Sequence, residues 1–290
     1  MDREAELSIV RAAYAKQILA AASVRDARLA EAFGATRRED FLGPGPWQIR
    51  RWLRDYAPTP DADPVYLYTD DLVALLPERH LNNGQPSLHA HLLHRASPAS
   101  GEHTVHIGTG SGYYTAILAR LVGPAGRVTG IEYDPGLAAK AKANLAPYTN
   151  ARIVEGDGAL VPFDEADVVY VNAGCTAPPA HWLDRLADGG RLILPMTSDR
   201  GFGAIGSPQQ MARAGAVFRI ERRGRDYFAT WISPVAIFPC AGSRDEDSER
   251  ALADAFAKGG WQKVTRLYRG EDIPEERCWL RGSGWCLAYD

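Results

Sequence analysis

Three glycines and two acidic residues are the parts of this sequence best suited to holding a ligand. The stretch Thr104–Tyr114 has the pattern of a buried strand, followed by a G-x-G-x-G turn at Gly108, Gly110 and Gly112 and then by an amphipathic helix. Glycine tolerates positive φ and lets the backbone approach a ligand closely, and a helix N-terminus presents free N–H groups. The next predicted strand, Arg127–Glu132, ends in an acid twenty residues after the last of these glycines. An acid in that place can accept hydrogen bonds from a ribose diol, so the spacing predicts a nucleotide-containing ligand.

A third predicted strand separates two kinds of nucleotide site. Dinucleotide sites usually read G-x-G-x-x-G, whereas this turn reads G-x-G-x-G and is followed by the strand Arg152–Gly156, which runs into Asp157 and Gly158. A carboxylate there can accept a hydrogen bond from an adenine amino group. Asp134 is interpreted instead as a cap for the helix that begins near Pro135.

Three stretches carry a resemblance to a known family: Ile107–Tyr113, Gly156–Gly158 and Asp188–Pro195. Together they cover roughly the central half of the chain, which resembles a class I S-adenosyl-L-methionine (SAM) methyltransferase and is most similar to the protein-L-isoaspartate O-methyltransferase family. The resemblance implies an O-methyltransferase that acts on a carboxylate of a peptide or protein and converts SAM to S-adenosyl-L-homocysteine.

The fold follows from the alternation of predicted strands and helices after residue 104. That rhythm predicts an α/β fold with parallel strands and right-handed crossovers, and the resemblance implies a Rossmann-like, doubly wound, mainly parallel sheet of seven strands. Late in the chain, 216–221 and 227–232 predict an antiparallel hairpin. We expect three segments: a helical N-terminal cap with a substrate-side loop (1–98), a SAM-binding core (99–240) and a small C-terminal appendage (241–290).

The substrate-side loop is expected to face the methyl acceptor. Residues 1 to about 56 have helical patterns, Val65–Tyr68 predicts a short strand or extended segment, and Ser87 is expected to cap a helix from Leu88 to Arg95. We assign the acceptor side to four residues: Gln85, Ser87, His89 and Asn172. The residues expected to bind SAM are His106, Gly108, Thr109, Gly110, Ser111, Gly112, Tyr113, Glu132, Tyr133, Asp157, Gly158 and Asn172.

Two features depart from the family pattern. His106 stands where the family usually has an acid two residues before the first glycine; it either contacts the cofactor or is a satisfied strand histidine. The family's G-Q-T-[IV]-S-Q-P segment is replaced by Asn82–Ser87, with Gly84 at the serine position if Gln85 and Pro86 match the Q-P pair. Alternatives therefore stay open: a tailoring enzyme for one peptide or small molecule, a SAM-binding sensor or adaptor without turnover, or an RNA methyltransferase.

Other motifs carry weaker signals. His80, His89, His91 and His94 lack the spacing and the acidic or cysteine partners of a metal site, so no metal is expected. Cys175 lacks the Pro-Cys pair of a cytosine C5 nucleophile and is interpreted as a small pocket residue. The segment 201–206 matches G-x-G-x-x-G but has no suitable acid downstream, so it is interpreted as a loop that covers the pocket.

Composition limits the partners. The 290 residues carry a formal net charge of −3, which argues against a strongly basic nucleic-acid surface. Four cysteines that form no C-x-x-C pair fit a reducing cytoplasm better than a disulfide framework, and no apolar run is long enough to cross a bilayer. We expect a cytoplasmic protein without membrane contact, and the aromatic residues after residue 260 are expected to pack the appendage.

Overall fold

The computed structural model describes residues 2–51, 54–199, 215–240, 242–270 and 275–290. The chain divides into two compact units, Met1–Glu102 with Thr109–Gly156, and His103–Gly108 with Asp157–Asp290. We call them the first and the second unit. The division into a cap, a core and an appendage stays a prediction.

The helices and strands alternate through the middle of the chain, as the pattern predicts. The described helices are α1 Arg3–Ala21, α2 Ala27–Ala35, α3 Glu39–Leu42, α4 Pro86–Ala96, α5 Tyr113–Val122, α6 Pro135–Asn144, α7 Ala180–Asp184 and α8 Glu246–Lys258. The strands are β1 Gln48–Arg50, β2 Tyr56–Pro58, β3 Leu72–Leu76, β4 Leu81–Asn82, β5 His103–Ile107, β6 Arg127–Glu132, β7 Ala151–Glu155, β8 Ala166–Val171, β9 Leu186–Thr197, β10 Gly215–Arg223, β11 Asp226–Pro234, β12 Arg266–Arg269, β13 Cys278–Gly282 and β14 Trp285–Ala288.

The first unit begins with the expected helices. Asp2 caps α1 by accepting a hydrogen bond from the N–H of Ala5, and Asp26 caps α2 in the same way through Leu29. The prediction that helices continue to about residue 56 is wrong beyond Leu42, where α3 ends, and β1 and β2 pair antiparallel further on. Val65–Tyr68 is not a strand either: Pro64–Leu67 forms a 3-10 turn, started by the fixed φ of proline and by the side chain of Asp63.

The first unit contains one small sheet and one parallel pair of strands. A small antiparallel sheet has the order β2-β1-β3-β4, and β6 pairs parallel with β7. In β6 the residues from Val128 to Glu132 are all buried, which is typical of a strand covered on both faces. The strand ends at Glu132.

The second unit contains a mixed sheet. Strands β5, β8 and β9 run parallel, and β9 to β14 pair antiparallel in the order β9-β10-β11-β12-β14-β13. The α/β fold class and the predicted hairpin are confirmed, since β10 and β11 pair from Ala216 to Pro234. The C-terminal segment adds three strands, since β12 pairs with β11, β14 pairs with β12 and β13 pairs with β14.

The C-terminal segment packs through its aromatic rings. Phe256 of α8 contacts Trp261 and Trp279 at centroid distances of 5.4 and 5.5 Å, and Trp285 is buried. The packing interpretation of these aromatics is therefore confirmed.

The expectation of unpaired cysteines is wrong for two of the four. Cys278 and Cys286 form a disulfide, because the β13–β14 hairpin brings their Cα atoms to 6.0 Å. The eight-residue separation gave no motif that announced this pair. The cytoplasmic location stays a prediction.

No helix in the described part of the chain has the length and apolar character needed to span a membrane.

Candidate active site

The glycine turn, defined here as residues 108–112, adopts the backbone that its composition predicts. Gly108, Gly110 and Gly112 have φ angles of 77°, 56° and 98°. A Cβ at Gly112 would lie 3.0 Å from Cδ1 of Leu145, so glycine satisfies both the backbone and the packing here. Gly112 also precedes α5 as its N-cap and provides no side-chain acceptor. The N-terminus of α5 therefore receives no acceptor from its own cap residue.

Glu132 organises the turn from the end of β6. Its side chain is buried, and Oε2 accepts a hydrogen bond of 2.7 Å from the N–H of Gly110, while Oε1 accepts one of 3.0 Å from the N–H of Asp134. Burial raises the pKa of this carboxyl, and the hydrogen bonds from the two backbone N–H groups oppose that shift. Each carboxylate oxygen can accept a further hydrogen bond. Glu132 can thus hold the turn and still bind two hydroxyl groups.

Two hydroxyl groups of the turn lie buried beside the backbone. Thr109 and Ser111 are 3% and 1% exposed. Within the described ranges, neither hydroxyl oxygen has a hydrogen-bond partner. A buried polar atom without a partner is costly, so this turn fits a polar ligand.

Tyr113 and Tyr133 flank these groups and differ in exposure. The ring of Tyr113 is fully buried and packs edge-on against Phe33 and Phe41, so only its backbone is open to a ligand role. Tyr133 is 57% exposed and directly follows Glu132. Asp134 caps α6 by accepting a 2.9 Å hydrogen bond from the N–H of Leu137, as the sequence predicts.

In the second unit, His106, Gly108 and Asn172 lie at the ends of the paired strands β5 and β8. The N–H of Asn172 donates to the carbonyl of Ile107 at 2.8 Å, and its side-chain amide donates to the carbonyl of Gly108 at 3.3 Å. A Cβ at Gly108 would lie 3.1 Å from the carbonyl oxygen of Asn172. His106 is fully buried, its ring centroid lies 5.4 Å from that of Tyr170, and burial lowers its pKa to about 3. His106 is therefore neutral near pH 7 and brings no charge to the end of β5.

Asp157 and Gly158 form a tight turn in the same unit. The Asp157 carboxylate accepts a 2.8 Å hydrogen bond from the N–H of Ala159, and a Cβ at Gly242 would overlap that carboxylate. The carbonyl of Gly158 accepts a 2.8 Å hydrogen bond from Nε1 of Trp182. Sequence reasoning missed Gly242 and Trp182, and no local motif marks either residue.

The acceptor-side segment, defined here as residues 82–89, is held by hydrogen bonds within the first unit. Helix α4 begins at Pro86, so the expectation that Ser87 caps a helix from Leu88 is wrong; proline starts the helix two residues earlier. Ser87 instead donates its hydroxyl to Asp70 at 2.6 Å, and the Gln85 amide donates to Asp70 at 3.0 Å. Asp70 was not among the predicted site residues, since sixteen other residues separate it from Ser87 in the chain.

His89 and Gly84 fit closely against each other in this segment. The His89 ring is buried and stacks on Tyr114 at a centroid distance of 3.6 Å with an interplanar angle of 13°. A Cβ at Gly84, where φ is 72°, would overlap Nε2 of His89. A serine therefore does not fit at position 84, which explains in physical terms why this chain departs from the family's segment.

The weaker motifs resolve as follows. Among the described residues no three or more His, Cys, Asp or Glu side chains form a group that could hold a metal ion. Cys175 is fully buried. A hydrogen bond with Cys175, together with burial, raises the pKa of the Cys240 thiol, so Cys240 lacks the character of a nucleophile. The predicted loop at 201–206 lies outside the described residues.

The site can now be compared with known proteins. Residues 59–214, more than half of the chain, match the family model "Protein-L-isoaspartate(D-aspartate) O-methyltransferase (PCMT)". A protein-L-isoaspartate O-methyltransferase of Ralstonia nicotianae is 36% identical over 216 residues, which cover 72% of this chain and 61% of that protein. One from Ignicoccus hospitalis is 30% identical over 158 residues, 53% of this chain and 69% of that protein. The match spans less than two thirds of the Ralstonia protein and slightly more than two thirds of the Ignicoccus protein.

A solved structure supports the same fold. The Plasmodium falciparum protein-L-isoaspartate O-methyltransferase, in complex with S-adenosyl-L-homocysteine, aligns with a TM-score of 0.61 over 79% of this chain and 97% of that one, at 16% identity. The fold, the glycine turn and Glu132 define a class I SAM-dependent methyltransferase. Within that class, this chain belongs to the protein-L-isoaspartate(D-aspartate) O-methyltransferase family.

Proposed function

We propose that this enzyme transfers the methyl group of SAM to the side-chain carboxylate of isoaspartyl residues in peptides and proteins. The observation that carries the proposal is the family match over residues 59–214, which contains every residue that we assign to the site. The buried hydroxyls of Thr109 and Ser111, which have no partner in the described ranges, support a polar ligand at the turn.

We assign the cofactor by its chemical parts. The backbone from Gly108 to Tyr113 and the side chain of Asn172 bind the methionine part, Glu132 binds the ribose, and Asp157 with Gly158 binds the adenine. His106 supports the strand end as a neutral residue, because burial keeps its pKa low. Tyr133, which is exposed next to Glu132, can shield the ribose and adenine from water.

The chemistry demands little of the protein beyond alignment. SAM supplies an electrophilic methyl group, and a carboxylate acceptor is already ionised near pH 7, so no proton has to leave. A general base is therefore not required. The protein contributes by fixing the acceptor oxygen in line with the departing sulfur and by excluding water.

The acceptor side is assigned to Gln85, Ser87, His89 and Asn172. Gln85 keeps a second amide N–H and a carbonyl oxygen after donating to Asp70, so it can bind a peptide group. His89 is stacked on Tyr114 and acts through its packing against Gly84 rather than as a mobile ligand.

A methyltransferase with a narrower range of acceptors is the second candidate function. Because His89 leaves no room for a serine at position 84, the acceptor pocket differs from the family's usual one, and this favours a dedicated peptide or small-molecule substrate. The net charge of −3 disfavours RNA as the acceptor. A SAM-binding sensor without turnover would keep the cofactor site and lose transfer to every acceptor.

The test is transfer of labelled methyl from SAM to an isoaspartyl peptide and to the same peptide with a normal aspartyl residue. The proposal predicts base-labile label on the isoaspartyl peptide and none above background on the control. Cofactor binding by calorimetry without transfer to either peptide would contradict the isoaspartyl assignment and favour the narrower acceptor or the sensor.

A further inference from the structure

The carboxylate of Asp70 receives three hydrogen bonds from the start of α4. The N–H of Ser87 donates to Oδ1 at 2.7 Å, the Ser87 hydroxyl donates to Oδ2 at 2.6 Å, and the Gln85 amide donates to Oδ2 at 3.0 Å. Gln85, the N-cap residue of α4, makes no capping hydrogen bond of its own. Asp70 therefore does for α4 what a local cap does for most helices, although it lies in a different segment of the chain.

The segment that carries Asp70 is itself anchored by a buried cation. Arg38 is 0% exposed, and its guanidinium donates to the carbonyls of Leu67, Thr69 and Asp71. These carbonyls lie on both sides of Asp70 in the chain. Among the described residues Arg38 forms no ion pair, and the rings of Tyr14 and Tyr113 lie 5.9 and 5.8 Å from its Cζ.

A buried guanidinium is costly without hydrogen-bond partners, and both terminal nitrogens of Arg38 donate to this one backbone turn, whereas its Nε has no partner within the described ranges. The turn is therefore rigid. Because the turn is held in place, so is Asp70. Its Oδ2 then orients both the Ser87 hydroxyl and the Gln85 amide. The single hydroxyl proton of Ser87 is committed to Asp70, so Ser87 can only accept a hydrogen bond from a bound substrate.

We propose that Asp70, anchored through Arg38, is a positioning residue for the methyl acceptor: it orients Gln85 and Ser87 and makes the Ser87 hydroxyl an acceptor for a peptide N–H next to the reacting carboxylate. This proposal rests on the proposed function, which places the acceptor at residues 85–89. Asp70 itself touches neither substrate nor cofactor in this account.

The experiment compares Asp70→Ala and Asp70→Asn with Asp71→Ala. Asp71 is the matched control, because it is the adjacent acid and its carboxylate forms an ion pair with the exposed Arg51, at 3.3 Å. The kcat and KM for the isoaspartyl peptide, and the Kd for SAM, are measured for each variant. Hydrogen exchange of the amides of residues 84–90 is measured in the absence of any substrate.

Asp70→Ala is expected to raise KM for the peptide about tenfold, as loss of charge-assisted hydrogen bonds would, while the Kd for SAM and kcat stay within about twofold. Asp70→Asn is expected to keep near wild-type exchange at residues 84–90, because Oδ1 still accepts the Ser87 N–H, but not to recover KM, because its Nδ2 donates and cannot accept from the Ser87 hydroxyl or the Gln85 amide. The amides of residues 84–90 should exchange faster in Asp70→Ala and at the wild-type rate in Asp71→Ala.

Two results would overturn the proposal: a wild-type KM in Asp70→Ala, which would reduce Asp70 to a helix cap, or unchanged exchange at residues 84–90. Failure of the proposed function is a separate outcome. If wild-type enzyme methylates no isoaspartyl peptide, the acceptor assignment fails, whereas the exchange comparison still decides whether Asp70 fixes the segment.

Discussion

Helices α4 and α5 both begin after a glycine-containing loop, and their first turns are completed in opposite ways. At α5 the cap residue is Gly112, which has no side chain to offer, and the neighbouring hydroxyls of Thr109 and Ser111 have no partner in the described ranges. At α4 the corresponding position is filled by Asp70. An open first turn suits a ligand that arrives and leaves, whereas a filled one suits a segment that must be rigid before the ligand arrives.

The largest effect is expected from Glu132→Ala, which should impair cofactor binding at the start of α5 and leave the acceptor side at the start of α4 intact. Glu132 holds the N–H of Gly110 and, in our assignment, two ribose hydroxyls, so its loss should weaken SAM binding roughly 10- to 100-fold. Calorimetric titration of SAM measures this directly. Glu155→Ala is the matched control, since Glu155 pairs with Glu132 in register on β7 but is exposed. If Glu132→Ala and Glu155→Ala lost SAM affinity equally, the cause would be the general loss of a negative charge and not a contact made by Glu132.

Asp157→Ala is expected to weaken SAM binding about tenfold, through the lost acceptor for the adenine amino group. The turn at Asp157 would also lose the hydrogen bond from the N–H of Ala159. Asp188→Ala controls for that local cost, because Asp188 likewise accepts one backbone N–H, from Gly224. Unaltered SAM affinity in Asp157→Ala would remove Asp157 from the site.

Ser87→Ala should give a smaller effect on the α4 side. The variant keeps the Asp70 contact to the backbone N–H and loses only the hydroxyl, so KM for the isoaspartyl peptide should rise a few-fold, as loss of one neutral hydrogen bond predicts. SAM affinity should not change. Ser8→Ala, at an exposed position of α1, is the control. A change in SAM affinity in Ser87→Ala would contradict the assignment of the acceptor to the start of α4 and of the cofactor to the start of α5.

The smallest effect on function is expected at His106, where the readout is stability against pH. Burial lowers the pKa of His106 from 6.5 to about 3, so the unfolded chain binds a proton more readily than the folded one between these values. Above pH 6.5, His106 therefore does not lower the free energy of unfolding. As the pH falls from 6.5 towards 3, the free energy of unfolding decreases by up to about 1.4 kcal/mol per pH unit.

Denaturant unfolding at pH 7, 6, 5 and 4 checks this prediction. In His106→Asn, the free energy of unfolding should depend less steeply on pH than in wild type. His80→Asn, at an exposed position with positive φ, should keep the wild-type dependence. Identical slopes in wild-type and His106→Asn would contradict a buried neutral imidazole.

The sequence predicts the α5 side better than the α4 side, for a physical reason. The glycines from 108 to 112 and the acid at the end of β6 are local requirements of backbone conformation and strand termination, so they are visible as spacing. Asp70 acts on Ser87 from another segment, and Gly242 lies against Asp157 across 85 positions of the chain. Contacts between distant segments leave no periodic mark. The Cys278–Cys286 pair escaped notice for another reason: it lies within one hairpin, and no cysteine motif marks it.

The most direct test measures SAM affinity and peptide KM side by side in Glu132→Ala and Asp70→Ala. Our account assigns the cofactor to the open start of α5 and the acceptor to the filled start of α4. It predicts a crossed result: Glu132→Ala weakens SAM binding with little change in KM for the isoaspartyl peptide at saturating SAM, and Asp70→Ala raises that KM with unchanged SAM affinity. If both variants change the same parameter, or if Glu132→Ala binds SAM as wild type does, the account is contradicted.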